Sequence, residues 1–334
     1  MSKVIEVAIL AAGKGTRMNS TLPKVLHTIG GCSLIKHVIN KAEALNSEKI
    51  HLIYGFGGEQ LKTSISNKKI IWSEQKQQLG TAHAVKQIIN KINPDNDILI
   101  LYGDVPLISE ETLNNLINIK QHSPLALLTA KVDNPTGYGR IVRDNNGQII
   151  KIIEEKDASE EIKQINEINS GIMLINGKKL TQWLQFINNN NSQKEYYLTD
   201  IVELAVKEEE QINAYTTEHA IEIEGVNNKR QLATLECEYQ RQQVDKLLDN
   251  GVTLRDPERV DIRGTLTTAM DNEIDINVIF EGNCTLGNNV KIGANSIIKN
   301  SQIGDNVTIL ENCIIEDSII HASCNIGPYS RLRP

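Results

Sequence analysis

The sequence predicts an α/β domain with a mostly parallel sheet, then one long connecting helix, then a parallel β-helix. Residues 1 to about 226 alternate short aliphatic runs with helical patterns, which is typical of a layered α/β fold with right-handed crossovers. From Ile274 onward, apolar residues recur every sixth position, and a short fixed period of this kind is typical of a β-helix. The length of 334 residues also fits about two domains of roughly 150 residues each.

The elements of the first part have strong local signals. The runs "VIEVAIL", "KIHLIYG" and "DILILYGD" have the continuous aliphatic character of strands that are buried on both faces of a parallel sheet. In "SLIKHVINKAEAL" and "TAHAVKQIINKI", apolar residues are three and four positions apart, which predicts helices. The segment "GYGRIVRDNNGQIIKIIEE" predicts a β-hairpin that turns at Asn146-Gly147, so we expect a mixed sheet.

We expect three segments, with boundaries at 1–226, 227–250 and 251–334. The middle segment is a polar, Glu/Gln/Lys/Arg-rich helix without Pro, and Gly251 is placed to end it. In the last segment each hexad would form one side of a triangular coil, with its apolar residue stacked inside. The periodic positions, with two shifts of one residue, are Ile274, Phe280, Leu286, Ile292, Ile298, Ile303, Ile309, Ile315, Ile320, Ile326 and Leu332. The chain stops within a coil and without an atypical capping repeat, so we expect a shortened chain.

The composition excludes several classes of protein. Apolar residues make up 40% and charged residues 23% of the chain, which excludes a disordered or collagen-like protein. A net charge of −7 argues against a surface for duplex nucleic acid and against a polybasic membrane anchor. No signal peptide and no apolar run of about 20 residues is found. The five scattered cysteines contain no CxxC pair, so we expect a soluble protein of the reducing cytoplasm.

The strongest chemical signal is the loop "LAAGKGTRMNSTLPK", residues 10–24, directly after the first strand. Ligands of open α/β sheets bind beyond the carboxyl ends of the strands, and Gly13 and Gly15 let backbone N–H groups approach an anion there. Met18 stands where both a dinucleotide-binding loop and a Walker A loop need glycine, so neither chemistry is predicted. The loop fits a polyphosphate, the alternative being an ordinary glycine turn. Its cations are Lys14, Arg17 and Lys24.

The second signal is Asp104, which ends the apolar run "LILYGD" and should emerge at the same edge of the sheet as the glycine loop. A carboxylate beside a phosphate-binding loop is suited to Mg²⁺, because this ion takes one or two carboxylates plus substrate phosphates. Taken alone, Asp104 fits a turn or helix-capping residue before Pro106 equally well.

These motifs occur in the order found in a known family. The segments "LAAGKGTRM…LPKVLH", "QLGTAHA", "LYGDVPL", "PTGYGRIVR", "EINSGIM", "EYYLTDI" and "EGVNN" are followed by hexapeptide repeats. Over its whole length the chain is similar to the bifunctional bacterial N-acetylglucosamine-1-phosphate uridyltransferase / glucosamine-1-phosphate N-acetyltransferase family. It also resembles sugar nucleotidyltransferases in general, which share only the glycine loop and the distal lysine. One departure is Ala82, where many relatives carry glycine.

The resemblance implies a Rossmann-like nucleotidyltransferase domain with a mostly parallel mixed sheet, a long connecting helix and a partial left-handed parallel β-helix of hexapeptide repeats. The implied reaction is Mg²⁺-dependent transfer of UMP from UTP to N-acetylglucosamine 1-phosphate, which gives UDP-N-acetylglucosamine and pyrophosphate. That product supplies peptidoglycan and lipopolysaccharide synthesis. The family also acetylates glucosamine 1-phosphate from acetyl-CoA, at a site between subunits of a trimer, and we expect this activity to be lost or impaired here.

The resemblance also implies the residues of the site. Catalytic cations would be Arg17 and Lys24, and the Mg²⁺ ligands would be Asp104 and Asn227. The nucleotide would contact Leu10, Ala11, Ala12, Gly13, Lys24, Gln75, Gly80, Thr81, Tyr102 and Gly103. The sugar would lie among Gly139, Glu154, Asn169 and Thr199. Of the residues that serve acetyl transfer, only Arg333 would be present.

Two alternative functions stay open. The first is another sugar-1-phosphate nucleotidyltransferase, and the second is a non-catalytic trimeric scaffold. The intact glycine loop, Lys24, Asp104 and Asn227 argue against the scaffold. Some candidates have no signal apart from the resemblance, since Glu154 could lie at a solvated strand edge and Asn169 or Asn227 in a turn. We interpret His83 as a packing residue and the cysteines as small apolar ones.

Overall fold

The computed structural model describes residues 4–65, 67 and 69–334, and the chain divides into two compact units. The first unit contains the residues through His27 and then Leu34–Asn228, and the second unit contains Thr28–Ser33 and Lys229–Pro334. The contact pattern therefore groups the connecting helix with the C-terminal segment. The predicted boundaries at 226 and 250 stay predictions.

The first unit is built on a sheet of nine strands among the described residues, in the order β11-β7-β10-β6-β1-β4-β5, with β8 paired to β10 and β9. The strands β2 and β3 pair with each other and belong to the second unit. In chain order the strands are β1 (Ile5–Ala11), β2 (Thr28–Ile29), β3 (Cys32–Ser33), β4 (Ile50–Tyr54), β5 (Ile70–Glu74), β6 (Asp97–Tyr102), β7 (Leu125–Lys131), β8 (Arg140–Arg143), β9 (Ile149–Ile153), β10 (Glu167–Asn176) and β11 (Ile212–Thr217).

The pairing confirms the predicted mixed sheet. β1 runs parallel to β4 and β6, and β4 runs parallel to β5, so the apolar runs recognised in the sequence form the parallel centre. β10 is antiparallel to β6 and β7. The predicted hairpin is formed by β8 and β9, with Gly147 in the left-handed region at φ 80° and its N–H donating to the Asp144 carbonyl at 3.0 Å.

Seven helices of the first unit accompany this sheet in the described residues. They are α1 (Leu34–Ala44), α2 (Gly58–Ser64), α3 (Thr81–Lys86), α4 (Glu110–Lys120), α5 (Glu160–Lys163), α6 (Gly177–Trp183) and α7 (Ile201–Lys207). Alternate residues of β1 and β6 enter two separate apolar cores: Ala8 lies in a core with α3, α6 and α7, and Val7 in a core with α1 and α4. Each buried Ile or Leu contributes about 1.5–3 kcal/mol, so the sheet is stabilised from both faces.

A buried polar pair lies on β1 and β4. His51 Nε2 is 2.6 Å from Glu6 Oε2, and both residues have no exposed surface. Burial lowers the pKa of the His51 imidazole, and the adjacent Glu6 carboxylate opposes this only in part. Burial alone would raise the pKa of Glu6, but hydrogen bonds from His51, Asn93 and Asn96 outweigh it and lower that pKa. The folded protein therefore holds an ionised Glu6 and a neutral His51 at neutral pH.

Besides the β2–β3 hairpin, the second unit contains helix α8 (Lys229–Asp249), which is followed by parallel strands. Gln240 joins the helix to the first long strand, since its side chain donates to the Ile262 carbonyl at 3.0 Å and accepts from the Ile262 N–H at 2.8 Å. The strands are β12 (Thr253–Leu254), β13 (Val260–Thr268), β14 (Glu273–Ile274), β15 (Val278–Leu286), β16 (Lys291–Ile292), β17 (Ile297–Lys299), β18 (Gln302–Ile303), β19 (Thr308–Ile309), β20 (Ile314–Glu316), β21 (Ile319–Ile320), β22 (Asn325–Ile326) and β23 (Arg331–Leu332).

The strands of the second unit pair at a step of about three hexads. Phe280 pairs with Ile298, which is three full hexads further along the chain, whereas the step from Leu286 to its partner Ile303 is one position shorter. The step shortens where the sequence period loses one residue, so the apolar side chains stay aligned. Most of the periodic residues from Ile274 to Ile315 are nearly inaccessible to solvent. The parallel pairing is compatible with the predicted left-handed β-helix, which stays a prediction.

Asparagines recur where these strands turn. Asn277, Asn295 and Asn312 all have φ near 60°, in the left-handed region that asparagine tolerates better than most residues. The Asn277 side chain donates to Asn295 Oδ1 at 2.8 Å, which joins one turn to the next. The asparagine turns therefore recur along the second unit at the same spacing as the paired strands.

None of the helices in the described part of the chain combines the length and the apolar character needed to cross a membrane.

We expect acid to destabilise the protein through the Glu6–His51 pair. In the unfolded chain His51 binds a proton below about pH 6.5, whereas the folded state resists protonation, so stability falls as the pH drops from 6.5 towards the lowered pKa. Glu6 acts in the same direction, because its contribution is present above its ordinary pKa and is lost as the pH falls through the folded value.

Replacing His51 with Gln should remove about 1 kcal/mol of the difference in stability between pH 7.5 and pH 5.5, measured by thermal unfolding at both pH values. The exposed His122 provides the matched control, His122→Gln, which should leave the difference unchanged. An undiminished pH dependence in His51→Gln would contradict this account of the buried pair.

Candidate active site

The site lies where β1 and β6 end side by side. Leu10 pairs with Tyr102 in parallel register, and the Gly103 N–H continues the pairing by donating to the Leu10 carbonyl at 2.9 Å. The glycine loop and the Asp104 turn therefore leave the sheet from neighbouring strands. In the sheet, β4 lies on one side of β1 and β6 lies on the other, so the strand order changes direction at β1. Open α/β sheets bind their ligands at such a switch point.

Charged and amide groups meet at this edge. The Lys24 ammonium contacts Asp104 Oδ2, and it donates to Asn227 Oδ1 at 3.3 Å. Arg17 also donates to Asn227 Oδ1, at 2.9 Å, although its side chain is exposed. The side chains of Lys24 and Asp104 are only 14% and 16% exposed, so their charges are largely removed from water. The structure thus brings together two of the three predicted cations, Arg17 and Lys24, and both predicted metal ligands.

The donor set at this point fits a hard divalent cation. One carboxylate oxygen and one amide oxygen, from Asp104 and Asn227, surround the same ammonium group of Lys24. The two segments are also tied through the backbone, because the Val226 N–H donates to the Asp104 carbonyl at 2.9 Å. Among the described residues, no group of three or more His, Cys, Asp and Glu side chains could hold a metal. Proteins usually bind Mg²⁺ through one or two oxygens, and substrate phosphates and water complete its coordination. The two oxygens of Asp104 and Asn227 match this pattern.

A cleft of about 240 Å³ opens beside this cluster. Its lining contains the predicted Leu10, Ala11, Ala12, Gly13, Lys24, Gln75, Gly80, Thr81, Tyr102 and Asp104, together with Val25, Gln78, Ala84 and Glu195. The last four were not predicted from the sequence. All four lie within the motifs quoted above, Val25 in "LPKVLH", Gln78 and Ala84 in "QLGTAHA" and Glu195 in "EYYLTDI", but none of them had been assigned to the site.

The glycines of the site have different physical roles. A Cβ built on Gly13 would meet no atom within 4 Å, so this glycine leaves open space beside the cleft. Gly15 has φ +60° and lies against the side chain of Lys24, where a Cβ would come within 2.6 Å of Lys24 Cβ. Gly80 has φ +111° and packs against the Tyr196 backbone. Only at Gly13 does the protein keep space that a ligand would fill.

Gln75 presents a polar side chain to one end of the cleft. Its amide nitrogen donates to the Gly80 carbonyl at 3.1 Å and lies 3.0 Å from His83 Nδ1. Thr81 Oγ1 accepts from the Leu198 N–H at 3.0 Å, so the "GTAHA" segment is tied to the segment that carries Thr199. His83 was interpreted as a packing residue, but its ring is half-buried and hydrogen-bonded to a predicted binding residue.

Four predicted sugar-contacting residues lie together. Thr199 Oγ1 donates to Glu154 Oε1 at 3.0 Å, and the Asn169 N–H donates to the Gly139 carbonyl at 2.8 Å. A Cβ on Gly139 would lie 3.4 Å from Glu154 Oε2, so these pairs are neighbours. The antiparallel pairing of β8 with β9 and β10 brings Gly139, Glu154 and Asn169 together. The Leu198–Asp200 turn packs against β9 and adds Thr199.

Burial raises the pKa of the Glu154 carboxyl, against the effect of the hydrogen bond from Thr199, and the charges of Asp157 and Glu195 add to the rise. Burial also raises the pKa of Tyr102, with contributions from Glu154 and Asp104. The phenol of Tyr102 is therefore neutral and can act as a hydrogen-bond donor in the site. Glu154 is half-buried and accepts a hydrogen bond from Thr199, so it is not a fully solvated residue at a strand edge.

Arg333 is the one predicted site residue outside the first unit. It belongs to the second unit, and its side chain is exposed.

Comparison with known proteins identifies two segments. Residues 7–165 match the MobA-like NTP transferase domain, and residues 262–334 match the GMPPB C-terminal domain. The first match includes the glycine loop, Asp104, Gly139 and Glu154.

Solved structures share the fold. A Bacillus anthracis protein assigned as a glucose-1-phosphate thymidylyltransferase, in complex with a sucrose, is 19% identical with a TM-score of 0.55, over 70% of this chain and 94% of that chain. A UDP-glucose pyrophosphorylase complexed with UDP-glucose is 18% identical with a TM-score of 0.60, over 72% and 99%. Residues 7–165 of this chain are thus similar to the MobA-like NTP transferase domain, and the first unit shares its fold with these solved structures.

We expect Gly13→Ala to impair ligand binding without unfolding the protein. The added methyl group meets no protein atom but enters the space beside the cleft, so the KM for the nucleoside triphosphate should rise about tenfold or more while the Tm is unchanged. Gly15→Ala is the matched comparison, since it strains the backbone and crowds Lys24, and it should lower the Tm. Normal nucleotide affinity in Gly13→Ala would show that the ligand does not approach this backbone.

Proposed function

We propose that this chain transfers UMP from UTP to N-acetyl-α-D-glucosamine 1-phosphate, which gives UDP-N-acetylglucosamine and pyrophosphate. The observation that carries the proposal is the cluster of Lys24, Arg17, Asp104 and Asn227 at the mouth of an amide-lined cleft beside the glycine loop. This cluster supplies cations for phosphate groups and oxygen ligands for a metal. Beside it, the backbone at Gly13 is accessible to a ligand.

The two ends of the site support the two substrates. Gln75 and the Gly80-Thr81 pair offer amide and backbone groups of the kind that read the edge of a pyrimidine base. Glu154, Asn169 and Thr199 offer carboxylate, amide and hydroxyl groups for sugar hydroxyls and an acetamido group. The choice of N-acetylglucosamine rests on the ordered motif set in the sequence.

The reaction needs positioning and charge neutralisation more than it needs a general base. The sugar phosphate is already an anionic nucleophile, and its oxygen attacks the α-phosphorus of UTP in line. A P–O bond forms to the sugar phosphate, the bond between the α-phosphorus and the bridging oxygen breaks, and pyrophosphate leaves with that oxygen. Lys24 and Arg17 would bind the phosphates and stabilise the negative charge that builds up on the leaving group.

Nucleotidyltransferases of this kind generally use Mg²⁺, which neutralises and orients phosphate oxygens when it is bound. Asp104 and Asn227 would hold it, and their oxygens already share one cationic partner in Lys24. When phosphates and the metal are bound, Lys24 can then donate to a phosphate oxygen instead of to Asp104.

We further propose that residues 251–334 form a left-handed β-helix through which the protein assembles as a homotrimer. The support is the stacked apolar period and the parallel pairing at steps of three hexads, shortened by one position where the period slips. The proposed location, a reducing cytoplasm, rests on the five scattered cysteines of the sequence and their lack of a CxxC pair.

A second candidate is another sugar-1-phosphate nucleotidyltransferase. The fold shared with the thymidylyltransferase and the UDP-glucose pyrophosphorylase supports it equally well. In addition, this chain has Ala82 where many relatives have glycine, in the "GTAHA" segment that is proposed to contact the base.

A substrate panel separates these candidates. Pyrophosphate release should be highest for UTP with N-acetylglucosamine 1-phosphate, compared with the other nucleoside triphosphates and with glucose, glucosamine and mannose 1-phosphates. Chelation of divalent cations should abolish turnover, and added Mg²⁺ should restore it. A clear preference for another sugar phosphate or base would replace the proposed substrates with that pair.

We expect Lys24→Met to lower kcat by about 100-fold or more, because a group that stabilises transition-state charge contributes on the order of 3 kcal/mol. Methionine keeps the unbranched stem that packs on Gly15, so the fold should survive. Steady-state kinetics and thermal unfolding measure both effects, with Lys36→Met on the exposed side of α1 as the control. Near-normal turnover in Lys24→Met would remove this lysine from the catalytic machinery.

A further inference from the structure

The side chain of Gln75 can display either of two hydrogen-bonding groups to a ligand. A carboxamide presents an oxygen that accepts or an NH₂ group that donates, and half a turn about its terminal C–C bond exchanges them. Gln75 is almost fully buried and lines the cleft, so which group faces the ligand depends on its protein partners.

The partners of Gln75 define that orientation. The two hydrogens of its amide nitrogen have two acceptors, the Gly80 carbonyl at 3.1 Å and His83 Nδ1 at 3.0 Å. Within the described part of the chain, no group donates a hydrogen bond to Gln75 Oε1. The oxygen is therefore the group that remains for a ligand, and it can only accept.

The role of His83 depends on its tautomer. Gln75 lies 3.0 Å from Nδ1, whereas the Gln87 amide nitrogen lies 3.4 Å from Nε2 and makes its shorter bond, 2.9 Å, to the His83 carbonyl. We therefore assign Nδ1 as the acceptor and place the ring proton on Nε2. The ring is held by its helix and lies near the ring of Tyr196, whose centroid is 6.5 Å away.

We infer that His83 is a positioning residue that orients Gln75 and thereby selects nucleotides with an imide N–H on the base. This inference rests on the proposed function and deepens it. Uracil and thymine carry a donor at N3, which matches an accepting oxygen. Cytosine carries a lone pair at N3 and faces that oxygen with a second acceptor. A buried group left without its partner is what gives a site strong discrimination.

The test compares two substitutions of His83 by the ratio of kcat/KM for UTP to kcat/KM for CTP. His83→Leu removes one of the two acceptors of the Gln75 amide nitrogen and leaves only the Gly80 carbonyl to orient it, so the preference for UTP should fall about tenfold or more. His83→Asn restores an acceptor oxygen near the position of Nδ1 and should recover most of the preference. Gln87→Leu, which alters the other neighbour of the ring, is the matched control and should keep it.

A double-mutant cycle separates orientation from a general structural effect. If His83 acts through Gln75, His83→Leu should have little further effect on the UTP:CTP ratio in a Gln75→Leu background. Thermal unfolding of every variant checks that the fold is intact.

Two results would overturn the inference: an unchanged UTP:CTP ratio in His83→Leu, or equal losses with both nucleotides. The failure of the proposed function has a different signature. An enzyme that uses dTTP and another sugar phosphate, yet loses its discrimination against CTP in His83→Leu, would disprove the proposed substrates and support the inference. An enzyme that uses only purine nucleotides would disprove both.

Discussion

The parallel pairing of β1 with β6 is the constraint on which the site depends. Because Leu10 and Tyr102 are paired and Gly103 adds one more hydrogen bond to Leu10, the two strands end at the same level. The glycine loop and Asp104 therefore leave the sheet next to each other, whatever their separation in the sequence. A slip of the register by one residue would turn every side chain of β6 to the other face and would move Asp104 away from the loop.

Withdrawing the Lys24 and Asp104 charges from water costs desolvation free energy, and the pairing of β1 with β6 helps to offset it. Lys24 and Asp104 are mostly withdrawn from water, and the desolvation of such a pair can exceed its Coulombic attraction. Their contact is held by strand ends and by the Val226–Asp104 backbone bond, so little additional entropy is lost when the ions meet. An acidic chain thus keeps a cationic group at the one point where a polyphosphate would bind.

Sequence reasoning recovers what short-range patterns control. The aliphatic runs locate β1, β4 and β6, and the glycine loop locates the edge at which ligands bind. It is weaker where long-range packing decides the arrangement, since Glu154 and Thr199 meet only because the Leu198–Asp200 turn packs against β9. Without the family resemblance, neither residue would have been selected.

Other features were missed for different reasons. The function of His83 depends on the turn that returns Gly80 to Gln75, and a helical pattern contains no information about that turn. The asparagines at the turns of the second unit recur regularly in the sequence, and the structure shows that this recurrence marks turns with left-handed backbone. Periodic polar residues can be as informative about a repeat as its core.

The placement of the β2–β3 hairpin affects how this protein can be divided. Residues 28–33 belong to the second unit, where the Gly30 N–H donates to Glu236 and Gly30 leaves no room for a Cβ beside Tyr239. The backbone consequently passes between the units three times, so no single cleavage or gene fusion point yields both units complete. A recombination event that exchanged everything after Asn228 would bring in a helix whose hairpin partner is encoded far upstream, near the start of the chain. The two units must therefore be inherited, and engineered, as one piece.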